Sequence, residues 1–332
     1  MTAGVSVGAG RADVNDGVDR ASSPWPGPVG AGLGNTAIGA PAAPPSAAAQ
    51  EVRAILARRP LVLTGLPVPP LDSGAFAVAA DHLAGVADAV LTGDSARARV
   101  QFPPSYRAAL MQQHGLRGWL GINCRDRNRV AIEGELLAIA DSGAAGVLCV
   151  TGDPVTAGHR PDAKGVFDLD GISAAHLASR AGLFTAVPEA PVSAPVQGRA
   201  LRALHKQQAG AELLFLQYAG DAGRHAAFIG ELRDVGCTLP VLPGIPVVID
   251  HDGAAVLASF GDAVLPDGYV QRVLDAVDPF AEGVRAAIEF GQSLLALADV
   301  GGVIAAGGAS PGQDAEFARA LGIIARELGG GS

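Results

Sequence analysis

Three cysteines in 332 residues are too few for a disulfide framework, and Cys124, Cys149 and Cys237 have no CxxC spacing to hold a metal. Two of them fall in apolar stretches, so buried free thiols are expected. Charged residues make up 17% of the chain and carry a net charge of −9, which sets the surface against a nucleic-acid backbone. No unbroken apolar run reaches the roughly 18 residues of a membrane span, and no basic start followed by an apolar stretch marks a secretory signal. A cytoplasmic protein with neither a membrane nor a nucleic-acid partner is expected. The histidines are scattered, and their spacing implies no metal site. His82, His114, His176 and His225 fall in helical segments and read as surface residues, whereas His159 and His251 fall in loops where a ligand contact stays open.

Apolar residues make up 49% of the sequence, at a mean hydropathy of +0.29, so a large core can form. Residues 1–50 are rich in Ala, Gly, Pro and Ser, include the run Ala40-Pro-Ala-Ala-Pro-Pro45, and read as a disordered tail. A short lead-in helix over 51–59 precedes a folded domain taken as 51–330. Within it, strand-like and helix-like segments alternate. Strands are expected at 61–66, 88–92, 118–124, 145–150, 183–187, 212–217, 239–243 and 301–304, with helical segments between and after them. Eight such units in about 270 residues match a (β/α)8 TIM barrel, whose usual size is roughly 250 residues. The weakest element is the eighth strand, short and far from the seventh.

In a parallel barrel the carboxyl ends of all strands share one face, and that face binds ligands. Two segments organise it. Cys124-Arg-Asp-Arg-Asn-Arg129 follows the third strand, and Thr151-Gly-Asp-Pro154 follows the fourth. Between them runs a helix over 130–143, with Ala131, Leu136, Leu137 and Ala140 as its expected apolar face. The other strand ends add Thr92 with Arg97 and Arg99, Pro188-Glu-Ala-Pro191, Gln217-Tyr218 and Gly244-Ile-Pro246. A polar ring with several arginines suits an anionic, hydrogen-bonding ligand. A plainer alternative stands beside each residue. Asp153 would form only a turn before Pro154; Arg125 to Arg129 would pair with their own acids while Asp126 or Asn128 caps the next helix; Lys206 would lie on the outside of a surface helix.

The motifs together are more specific than any one alone. CRDRNR with VTGDP, then Gly158 through Gly165-Val-Phe-Asp168, Lys206-Gln-Gln-Ala-Gly-Ala211, Leu216-Gln217 and Pro243-Gly-Ile245 resemble the methylenetetrahydrofolate reductase family in order and spacing, over about residues 88–247. The resemblance implies a TIM barrel that binds FAD at the strand ends and takes a hydride from NADH or NADPH. The acceptor is 5,10-methylenetetrahydrofolate, and 5-methyltetrahydrofolate is formed for one-carbon metabolism. It implies that Asp153 lies by the flavin and contacts the pterin, that Gln217 hydrogen-bonds the folate with Tyr218 beside it, and that Lys206 and Thr92 serve FAD. Arg125, Asp126, Arg127, Arg129 and Gly152 complete the implied cofactor set; an arginine here would meet the FAD diphosphate or a folate carboxylate. A methyltransferase partner and a homo-oligomer are compatible with it.

Four positions depart from the family pattern. The first strand runs Leu61-Val-Leu-Thr-Gly-Leu-Pro-Val-Pro-Pro70 without the glutamate that in the family supplies a proton. General acids contribute about 10² to 10⁴ in rate, so a slow reductase follows unless Asp72 or Glu189 substitutes. Gly121 stands where many relatives have histidine, Pro188 to Pro191 lacks another, and Arg199 replaces an acid. Two other readings stay open: a divergent folate or pterin enzyme partnered with a methyltransferase, and a barrel that binds pterin without turnover.

Overall fold

The computed structural model describes residues 44–93, 98, 100–154, 162–260 and 263–331. Most of the proposed tail, Arg97, Arg99, Gly158 and His159 lie outside the described residues. Eight parallel strands close into a barrel in chain order. They are β1 (Leu61–Gly65), β2 (Ala89–Thr92), β3 (Gly118–Asn123), β4 (Gly146–Val150), β5 (Phe184–Glu189), β6 (Leu213–Leu216), β7 (Val241–Val247) and β8 (Gly302–Gly307). Leu61 to Thr64 pair with Gly302 to Ala305, which joins the eighth strand to the first. The TIM barrel expected from the alternation is therefore the fold.

Three strands, β5, β7 and β8, run further than expected. Gly244-Ile-Pro246 is expected to follow the strand, with Gly244 serving a turn, yet β7 continues to Val247 because β8 is longer too and pairs with it from Gly244–Ile304 to Val247–Gly307. The loop at the mouth after β7 is therefore Val248 to Asp250. In the same way β5 carries Pro188 and Glu189 as its last residues.

Alternation along each strand separates two cores. Leu61, Leu63, Ala89, Trp119, Phe184, Phe215 and Leu242 fill the barrel interior, with the Trp119 ring 5.0 Å from Phe184 and 5.8 Å from Phe215. Val62, Val90, Leu120, Val147, Val187 and Leu214 face outward against the helices. These helices are α1 (Ala47–Leu56), α2 (Ala75–Leu83), α3 (Pro104–Gln113), α4 (Arg129–Asp141), α5 (Gly171–Arg180), α6 (Arg199–Gln208) and α7 (Ala222–Asp234). After β7 come α8 (His251–Ala258), α9 (Tyr269–Leu274) and α10 (Pro279–Leu295), and α11 (Asp314–Glu327) follows β8.

The lead-in helix starts at Ala47 rather than Glu51. Ser46 caps it: its hydroxyl accepts from the Ala49 N–H at 3.0 Å and donates to the Ala144 carbonyl at 2.7 Å. Ala49, Val52 and Ile55 then join Leu61, Trp119 and Phe184 in the interior core, so α1 covers one end of the barrel. On α4 the buried residues are Ile132, Glu133, Leu136 and Ile139; of the expected face Leu136 is buried, Leu137 and Ala140 pack half-buried against the core, and Ala131 is exposed. The larger β-branched and leucine side chains decide which face packs inward. No helix among the described residues is long and apolar enough to cross a membrane.

Candidate functional site at the barrel mouth

The site forms where β3 to β6 end. After β4 the chain turns through Thr151-Gly-Asp-Pro154, and Gly152 has φ +89°, a left-handed conformation that side chains rarely adopt. A Cβ there would stand 2.9 Å from the Arg125 Cβ and 3.1 Å from the Asn123 Cβ. The glycine thus lets the β4 turn rest on the end of β3. The turn is tied to the next helix, since the Thr151 hydroxyl accepts from the Gly171 N–H at 3.0 Å. Asp153 emerges exposed, with no side-chain partner among the described residues.

Glu189, the last residue of β5, is fully buried and is the acceptor for three cations from one face of α6. Arg199, Arg202 and Lys206 fall three and four residues apart, so they share that face. Arg199 donates to Glu189 at 2.9 Å, and also to the carbonyls of Ser193 at 2.7 Å and Ala194 at 2.9 Å, which fixes the loop before α6. Arg202 donates from Nε at 3.0 Å and from Nη2 to the two carboxylate oxygens. Lys206 donates to Glu189 at 3.0 Å and to the Pro188 carbonyl. Burial pushes the Glu189 carboxyl up, but hydrogen bonds from Arg202, the charge of Lys206 and bonds from Arg199 outweigh it and hold it at about 2. Burial lowers the Lys206 ammonium from its ordinary value, against the pull of Glu189.

Gln217 follows β6. Its N–H donates to the Glu189 carbonyl at 2.9 Å, and its own Oε1 accepts from the Tyr218 N–H at 3.1 Å. The amide is thereby oriented, and its NH2 has no partner among the described residues. Asp153, Gln217, Gly152, Arg125 and Lys206, all named from the sequence, line one cavity of about 470 Å³ together with Glu189, Arg199 and Arg202. An accessible carboxylate and an oriented amide in one cavity can read the donors and acceptors of a flat heterocycle.

The other sequence candidates lie apart from that lining. Asp126 pairs with its neighbour Arg125, one bond being 2.7 Å. Arg127 reaches the Asn123 carbonyl at 3.4 Å, and Arg129 opens α4 with its N–H on Asp168 at 2.7 Å. Asn128, one of the two proposed caps, accepts from Ala131 at 3.1 Å. Tyr218 is buried, and its hydroxyl donates to the Ala306 carbonyl at 2.9 Å. Thr92 is buried at the end of β2, and its hydroxyl oxygen has no partner among the described residues.

From the sequence Lys206 fits the outside of the barrel equally well, and only the spacing of Arg199, Arg202 and Lys206 marks Arg202. His225, expected on the surface, is fully buried, with Nδ1 donating to the Asp221 carbonyl at 3.0 Å. Neither proposed substitute acid takes the place of the missing glutamate. Glu189 stays ionised to about pH 2. Asp72 accepts from the Gly74 and Ala75 N–H groups at 2.9 and 3.1 Å, and it lines a different cavity of about 320 Å³ with Pro67 and Asp314. The thiols are buried: Cys124 is pushed up to about 12 by burial and the charge of Asp170, and Cys149 is raised by burial and by Cys124. Among the described residues no group of three His, Cys, Asp or Glu side chains is placed to hold a metal ion.

A closed (β/α)8 barrel with a charged cavity at its strand ends defines a TIM-barrel protein. The methylenetetrahydrofolate reductase family model matches residues 89–303, and the chain belongs to that family. No curated protein matches it in sequence. Among solved structures, an uncharacterized protein from Clostridium thermocellum that binds two copies of 5-methyl-5,6,7,8-tetrahydrofolic acid shares the fold at TM-score 0.60 and 13% identity. The match covers 81% of this chain and 96% of that one. An oxaloacetate acetylhydrolase is similar at TM-score 0.48 and 11% identity, over 79% of this chain and 81% of that one.

Proposed function

We propose that the chain is a methylenetetrahydrofolate reductase-type enzyme that binds the pterin of a reduced folate between Asp153 and Gln217. The observation that carries this reading is that these two side chains line one cavity, each with hydrogen-bonding capacity that no described residue uses. The Asp153 carboxylate accepts from the pterin's amino and ring N–H groups, and the Gln217 NH2 donates to its oxygen or nitrogen. That a barrel of the same fold binds 5-methyl-5,6,7,8-tetrahydrofolic acid supports the choice of ligand.

The donor set of the cavity fits FAD. Arg125 and Lys206 line the cavity and would hold its diphosphate. When bound, FAD would supply two-electron redox chemistry between NADH or NADPH and the one-carbon unit of the folate. The chain's own part is to orient the pterin and to keep the neighbouring carboxylate, Glu189, ionised and paired.

The test is turnover with FAD, NADH or NADPH and 5,10-methylenetetrahydrofolate, followed in the visible flavin band. Bleaching by the nucleotide and recolouring by the folate is expected, with loss of most turnover in Asp153→Ala. Unaltered kinetics in that variant would remove Asp153 from the mechanism.

A second reading is favoured by the proton inventory. β1 ends without an acid, and Glu189 cannot donate a proton near neutral pH. A barrel that binds methyltetrahydrofolate and serves a methyltransferase needs no such donor. Tight folate binding without reduction by either nucleotide would select it.

A further inference from the structure

The carboxyl-end face of a TIM barrel commonly binds phosphate at the loops after the seventh and eighth strands, at the start of a short extra helix. Here that place holds a carboxylate. Asp250 caps α8, accepting from the Gly253 N–H at 2.7 Å and from the Ser310 N–H after β8 at 2.9 Å. An anion is repelled there.

The charge pattern at α6 is the reverse. The first turn of a helix favours acids, because the helix dipole is positive there. α6 has no acidic residue in that turn and no side-chain cap at Gly198; it carries Arg199 and Arg202 instead. Three cations meet one carboxylate, so the corner keeps two positive charges at the wall of the 470 Å³ cavity. Arg199 and Lys206 are buried, whereas the Arg202 side chain is 46% exposed. Its Nε and Nη2 go to Glu189, and Nη1 has no partner among the described residues. Glu189 therefore holds the guanidinium in one orientation with an edge open to the cavity. A planar fork held this way suits a bidentate oxyanion.

We propose that Arg202, braced by Glu189 and backed by Arg199 and Lys206, binds a doubly charged oxyanionic group of a ligand. That group is either the diphosphate of a dinucleotide or the paired carboxylates of a folate's glutamyl end. The inference rests on the folate and nucleotide reading above but assigns a residue and a chemistry that the reading does not need.

The experiment is calorimetric titration of the full chain with inorganic pyrophosphate, NADH, FAD and 5-methyltetrahydrofolate carrying one or several glutamates, at several salt concentrations. Wild type, Arg202→Gln, Arg202→Lys and the remote control Arg319→Gln are compared, with melting curves to verify folding. Arg202→Gln is expected to weaken pyrophosphate about tenfold or more and to flatten the salt dependence. Arg202→Lys falls between, because it keeps the charge and loses the fork, and Arg319→Gln matches wild type. A parallel loss for NADH or FAD with folate spared identifies the diphosphate; a loss that grows with glutamate number identifies the carboxylates. Equal pyrophosphate binding by wild type and Arg202→Gln, or none by wild type, overturns the proposal. If pyrophosphate, NADH, FAD and folate all bind independently of Arg202 while folate still needs Asp153, the folate reading stands and only this inference falls. Arg202-dependent pyrophosphate binding without any folate binding does the opposite.

Discussion

At the residue scale, Glu189 shows how burial and partners compete. Its folded-state carboxyl at about 2 lies below the ordinary 4.5, so the unfolded chain takes up the proton first as pH falls. The stabilisation is whole above pH 4.5, declines between 4.5 and 2, and amounts to about 3 kcal/mol. Denaturant unfolding from pH 7 to 3 should show this decline, and Glu189→Gln should abolish it. That variant leaves Arg199 and Lys206 buried against a neutral amide, so it is expected to be about 3–5 kcal/mol less stable at pH 7. His225 adds a second pH effect at milder acidity. Burial lowers it below its ordinary 6.5 despite the Asp221 carbonyl, so the unfolded chain binds the proton first and stability falls as pH drops below 6.5. His225→Phe should flatten the stability profile in that range. In the sequence, motif spacing points to Asp153 and Gln217. It does not reveal the roles of Glu189 and Arg202, because an ion pair between a strand end and the next helix leaves no local pattern, only a spacing that also fits a solvated face.

At the element scale, the strands are legible because each is an apolar run in a sheet covered on both faces, as in Val147 to Val150 and Leu213 to Leu216. Their ends are less so. Glycine and proline in Gly244-Ile-Pro246 mark a turn locally, and only the pairing with β8 carries β7 onward. The start of α1 is hidden because an alanine- and proline-rich composition does not distinguish a tail from a capped helix, although Ser46 three residues before Ala49 is an N-cap pattern. Deleting residues 1–43 should leave the melting temperature unchanged, whereas deleting through Leu56 exposes Leu61, Trp119 and Phe184 and should cost about 3–5 kcal/mol. The β4 turn is tested by Gly152→Ala. The positive φ and the close approach to Arg125 should together cost about 1–3 kcal/mol, read from denaturant midpoints, and shift the Asp153 carboxylate enough to weaken folate binding.

At the scale of the whole molecule, the barrel sets the chemistry by bringing the ends of strands far apart in sequence to one face. Asp153, Glu189 and Gln217 come from three successive strands and meet at one cavity. Membership of the methylenetetrahydrofolate reductase family and the missing acid on β1 then frame a single question, whether this mouth reads a reduced pterin. Calorimetric titration of the full chain with 5-methyltetrahydrofolate, alongside Asp153→Ala, answers it most directly. Saturable binding by the wild type that weakens about tenfold or more in Asp153→Ala is the predicted result. No binding by the wild type, or equal binding by both proteins, would contradict the account.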